Sequence, residues 1–103
     1  MAIDIMTVYI AGKVSGEPID QCREKFLAKE KELRASGYYT FNPFKFIEQN
    51  YGTEGVQWAE CMRVLIPKLC DCQAICLLPD WHQSEGAKQE YHIAKLIEIK
   101  VLG

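Results

Sequence analysis

Val8-Tyr9-Ile10-Ala11-Gly12-Lys13-Val14-Ser15-Gly16, near the start of the chain, and Leu77-Leu78-Pro79-Asp80-Trp81-His82-Gln83-Ser84-Glu85-Gly86-Ala87-Lys88-Gln89-Glu90, near its end, decide the fold. Each reads as a buried strand that runs into a polar loop containing glycine. The second loop opens a helix with a carboxylate, Glu90, in its second turn. In an open α/β sheet, two such strand ends can lie side by side and form one crevice. A carboxylate in that crevice can serve as a nucleophile or as an acid/base. The pairing therefore points to a small-molecule site.

The rest of the chain fills in around these two stretches. Ile5–Ala11 is apolar and β-branched, as a strand buried on both faces should be. Pro18 suits the first turn of a helix. Ile19, Cys22, Phe26, Glu30 and Leu33 mark its mostly apolar stripe, and Gly37 suits its C-cap. Tyr38–Phe41 reads as a second strand, stopped by Asn42-Pro43. Phe44 to Gly55 reads as irregular and rich in aromatic residues. Trp58, Met62, Leu65, Ile66 and Leu69 make the stripe of another helix. Pro67 inside that stripe should kink the helix, or break it before Leu69. Cys72–Leu78 is a third buried strand. Ser84 is an N-cap for a helix through about Lys95, and Glu98–Leu102 is the last strand. This β-α-β-loop-α-β-α-β order implies a parallel sheet with right-handed crossovers. The expected fold is α/β, a small doubly wound, flavodoxin-like domain of about four strands with helices on both faces. The ligand crevice should lie at Gly12–Gly16, Asn42–Phe44 and Pro79–Ser84, the carboxyl ends of the strands.

A chain of 103 residues, 49% hydrophobic and 25% charged, reads as one domain over residues 1–103 with a modest core. A net charge of −2 argues against a partner that is a nucleic-acid polymer. No apolar run approaches the ~20 residues that span a bilayer, so no membrane partner is expected. The five cysteines have no disulfide-framework spacing. With no signal peptide, they are expected to be reduced thiols in a cytoplasm. Cys61, Cys70, Cys72 and Cys76 are better read as small buried hydrophobes than as metal ligands. Neither a metal nor another cofactor is expected.

Several motifs, in order along nearly the whole chain, carry a family resemblance. They are Tyr9-Ile10-Ala11-Gly12, Asn42-Pro43, Trp58, Met62-Arg63, Cys70-Asp71, Leu78-Pro79-Asp80-Trp81 and Ser84-Glu85-Gly86-Ala87-Lys88-Gln89-Glu90. The chain resembles the nucleoside 2-deoxyribosyltransferase superfamily, with its nucleotide N-glycosidase members, and within it a small branch found in phages and prophages. The resemblance implies a nucleoside or nucleotide ligand and a glutamate, here Glu90, that attacks the anomeric carbon. It implies that Tyr9 lies near the sugar, that Ser84 holds the 5′ end, and that Gly86 lets the ligand approach the backbone. It also implies a homodimer. One departure stands out. The aspartate that protonates the departing base in those enzymes lies eight residues before the aspartate opening the third strand. Here that residue is Asp71, and eight residues back is Arg63. Glu60, Asp80 and His82 are the residues that could substitute.

Each site residue also has a plainer reading. Glu90 could be a solvated helix glutamate, although its place near a helix start suits a carboxylate. Ser84 and Gly86 offer a hydroxyl and free N–H groups to an anion, yet would serve as a cap and a loop glycine in any case. Lys13 could pair with a phosphate or point into solvent. Tyr9 could be a core aromatic, and Trp81 could stack on a base or cap the core edge. His82 could donate a proton, whereas His92 should be exposed. Gly12, Ser15, Asn42 and Asp80 complete the expected ligand-binding set, with Arg63 as a possible grip on a phosphate. Three readings follow: an enzyme cleaving N-glycosides, a binding module that has lost turnover, and an interaction protein with a vestigial pocket.

Overall fold

The computed structural model describes residues 6–103. Ile5, expected in the first strand, and the Trp58 side chain lie outside the described residues. Strand β1 (Thr7–Ala11) leads to helix α1 (Ile19–Ala35) and strand β2 (Tyr39–Phe41). Helices α2 (Pro43–Tyr51) and α3 (Trp58–Cys70) then precede strand β3 (Ala74–Leu77). A 3-10 turn at Trp81–Gln83, helix α4 (Glu85–Leu96) and strand β4 (Lys100–Leu102) close the chain. All strand pairs are parallel, in the order β2-β1-β3-β4. The chain winds one way from β1 to β2, then crosses back over β1 to β3. The point of reversal lies between β1 and β3, where such sheets open a crevice. This is the expected doubly wound α/β arrangement.

Alternation along the strands supplies two cores, one on each face. Val8, Ile10 and Cys76 pack against Cys22, Phe26 and Leu33 of α1. Tyr9, Ala11 and Ile75 pack on the other face against Leu65 and Leu69 of α3 and Ala87 and Ala94 of α4. Ile19, expected in the buried stripe of α1, is exposed. It lies in the first turn of α1, at the cleft end of the sheet. Glu30, in the same stripe, is buried because Thr40 Oγ1 donates to it at 3.0 Å and Arg34 lies 3.4 Å away.

Two sequence expectations are corrected. The segment read as irregular from Phe44 onward is helical to Tyr51. The Asn42 side chain accepts the Lys45 N–H at 3.1 Å, and Pro43 takes the first helical position, where its missing donor costs nothing. The same Asn-Pro pair that ends β2 therefore starts α2. Of the two outcomes expected at Pro67, a kink or a break before Leu69, the break does not occur: helix α3 continues through Pro67 to Cys70. Pro67 and Arg63 both lie on the solvent face, so water can take the Arg63 carbonyl that the proline leaves without a donor. Among the described residues, no helix is long and apolar enough to cross a membrane.

Candidate functional site

A cleft of about 760 Å³ opens at the carboxyl ends of the strands. One wall is the loop after β1, from Gly12 to Glu17, together with the start of α4 from Ser84 to Ala87. The facing wall comes from α2, the segment 52–56 and α3, and presents mainly Phe44, Ile47, Val56, Met62 and Leu65. Phe26 of α1, 1% exposed, backs this wall from the core. Small-molecule sites combine an apolar lining with a few placed polar groups in this way.

Glu90 is the polar centre of the cleft. It lies in the second turn of α4 and is only 5% exposed. The Tyr9 hydroxyl, from the middle of β1, donates to its Oε2. Among the described residues, no fully buried side-chain oxygen lacks a partner. Among those residues Glu90 Oε1 has none, so it is the carboxylate oxygen with access to the cleft that Glu90 lines. Burial pushes the Glu90 carboxyl up to about 7, against a smaller downward pull from the Tyr9 hydrogen bond. Burial, and then the neighbouring Glu90, push the Tyr9 hydroxyl well above its ordinary value, so it stays a donor. Tyr9 is fully buried and does not line the cleft. Its position is behind the carboxylate rather than beside a ligand.

The start of α4 faces the same space. Ser84 Oγ accepts the Ala87 N–H at 3.1 Å, and the Ser84 carbonyl takes that of Lys88 at 2.9 Å. The N–H groups of Glu85 and Gly86 are left over at the helix start, in a wall of the cleft. Gly12, Lys13 and Ser15 of the loop after β1 line the same wall. The structure thus brings together Glu90, Ser84, Gly86, Gly12, Lys13 and Ser15.

Four expected ligand contacts lie elsewhere. The Asn42 side chain is occupied by its cap and stands outside the lining. Asp80 also stands outside it: its carboxylate accepts the Lys13 N–H at 3.0 Å and Lys25 Nζ at 2.6 Å. Burial pushes Asp80 up, but these two partners outweigh it and hold the carboxyl below its ordinary value. Trp81 caps the core edge, its ring 4.8 Å from that of Tyr91. Arg63 is exposed on α3, outside the cleft, and so are Glu60 and His82. His92 is exposed as expected. The five cysteines are unpaired. Among the described residues, no group of three or more His, Cys, Asp or Glu stands together as a metal would require.

Lys25 is the functional neighbour that sequence reasoning missed. Besides Asp80, its ammonium reaches the Lys13 carbonyl at 2.6 Å and the Glu17 carboxylate. One lysine of α1 therefore fastens both ends of the β1 loop to the loop after β3. Its partner Asp80 lies 55 residues away, so no local pattern marks it. Lys25→Met leaves two part-buried carboxylates without their cation. Unfolding in urea should show a loss of about 1–2 kcal/mol, and amide exchange at Lys13–Glu17 should accelerate at least ~10-fold. Unchanged exchange in that loop would show that Lys25 does not hold it.

Comparison with known families adds one match. Residues 6–103 fit the family described as a domain of unknown function, DUF4406. The chain belongs to this family. A search of curated proteins returns no match. The family match spans β1 through β4, and so takes in both walls of the cleft together with Tyr9 and Glu90.

Proposed function

We propose that this chain cleaves the N-glycosidic bond of a nucleoside or nucleotide, as an N-glycosidase or a 2-deoxyribosyltransferase-like enzyme, with Glu90 as the nucleophile. One observation carries the reading: a carboxylate buried on one side, anchored there by Tyr9, presents its second oxygen to a cleft at the sheet's switch point. Cleavage of such a bond builds positive charge at the anomeric carbon, which a carboxylate at contact distance stabilises and can trap. Tyr9 fixes the orientation of that carboxylate and keeps Oε2 occupied, so that Oε1 is the attacking atom. The family resemblance of the motifs around Tyr9, Ser84 and Glu90 supports the same reading.

The polar wall would receive the sugar and its 5′ end. Ser15, Lys13 and the leftover N–H groups of α4 are the groups available there. The apolar wall would receive the base. A homodimer belongs to the same proposal. The alternative is a module that binds nucleotides without turnover, favoured by Arg63 at the position of the usual acid. The deciding experiment incubates the protein with 2′-deoxynucleosides and their 5′-monophosphates and follows base release by chromatography. The proposal expects release by the wild type and none by Glu90→Gln. Saturable nucleotide binding without any release would favour the alternative.

A further inference from the structure

The proposed cleavage raises a question of charge. When a glycosidic bond breaks, the electron pair leaves with the base. An ordinary base departs well only if a proton reaches it, and this help is typically worth 10²–10⁴-fold. The wall facing Glu90 is built mainly of Phe44, Ile47, Val56, Met62 and Leu65. Among the described residues, its one carboxylate is Glu48, and both Glu48 oxygens are taken by Arg23, one by Nε at 3.0 Å and one by a terminal nitrogen. That pairing lowers Glu48 below its ordinary value, so it carries no proton near neutrality. The Cys61 thiol on the same wall is pushed up by burial and holds its proton.

Of the carboxylates that line the cleft, Glu17, Glu48 and Glu85 are paired with Lys25, Arg23 and Lys88, which leaves Glu90 as the one without a cation among the described residues. The soft Met62 thioether adds a polarisable surface to the apolar wall.

We infer that the substrate is an N-glycoside whose base already carries a positive charge, such as an N-alkylated purine or a pyridinium. This inference rests on the glycosidase reading above. Such a base needs no acid. As C1′–N breaks, the bonding pair moves onto the ring nitrogen and cancels the positive charge, so the base leaves neutral. Glu90 Oε1 forms the new bond to C1′. Water then attacks C1′, the ester oxygen returns to Glu90, and one proton passes to solvent. The sum is cationic glycoside plus water giving free sugar, neutral base and a proton. The apolar wall favours the neutral base that leaves over the cation that enters, so it assists the step in which the charge is cancelled.

The test compares 7-methyl-2′-deoxyguanosine with 2′-deoxyguanosine on the wild-type protein, each corrected for spontaneous depurination. The two differ by the methyl group that places the charge on the ring. The inference expects kcat/KM to be at least ~100-fold higher for the methylated nucleoside, the least that acid catalysis ordinarily supplies, with release abolished in Glu90→Gln. Equal values for the two nucleosides would overturn the inference and leave the glycosidase reading standing. Release from neither would overturn both.

Discussion

Glu90→Gln is expected to lower base release by at least ~10³-fold while making the protein more stable at pH 8. The first effect follows from removing the nucleophile. The second follows from linkage. Glu90 has an ordinary value of 4.5 and is raised to about 7 in the folded protein. Between those values the folded state binds more protons than the unfolded state, so stability falls as pH rises. Below about 4.5 there is no penalty, and above about 7 it is complete at about 3 kcal/mol. Glutamine still accepts from Tyr9 and carries no charge, so the penalty disappears. The variant should melt several degrees higher than wild type at pH 8, and its melting temperature should vary less between pH 5 and 8. Wild-type base release should rise with pH through about 7, as the carboxylate forms. A variant that keeps turnover, or that keeps the wild-type slope of stability against pH, contradicts this role for Glu90.

Gly12→Ala carries the largest structural effect. A Cβ at this position would stand 2.5 Å from Leu78 Cδ1 and 2.9 Å from Leu78 Cβ. Leu78 is 2% exposed and packs with the α1-side core, so it has little room to retreat. Overpacking of this kind costs typically 1–3 kcal/mol, which for a domain of this size lowers Tm by roughly 5–20 °C. Because Gly12 and Leu78 sit where β1 and β3 deliver their loops, the clash also pushes apart the two edges of the cleft. Ligand binding should weaken together with stability. A variant with an unchanged Tm would show that the β1–β3 contact is looser than these distances imply.

The sheet was legible because its signals are local. β1 and β3 are short apolar runs bounded by polar loops, and Ser84 stands just ahead of a periodic stripe. The place of Glu90 is legible for the same reason, since helix spacing from Ser84 puts it in the second turn of α4. What escaped depends on contacts across the fold. Asn42-Pro43 was read as a strand stop, but those residues also make a helix start, and the apolar Phe44 and Ile47 give α2 its buried side. Pro67 reads as a kink or a break in its helix, yet the helix continues, because on a solvent-facing side the lost hydrogen bond is exchanged for water. Asp80 was placed with the ligand because it follows β3. In the structure it is drawn to Lys25, a partner no sequence window contains. Tyr9 was placed beside the sugar, whereas strand alternation turns its ring into the core and leaves only its hydroxyl to act, through Glu90.

The central claim is that Glu90 Oε1 forms a bond to the anomeric carbon. Mass analysis of the protein after incubation with a 2′-fluoro-arabinonucleoside tests it most directly. The fluorine slows hydrolysis of a glycosyl-enzyme, so a trapped sugar should persist. The account predicts an intact mass raised by one fluorinated sugar, mapped to the peptide carrying Glu90 and absent from Glu90→Gln. Base released with no adduct, or an adduct on any other residue, would contradict it.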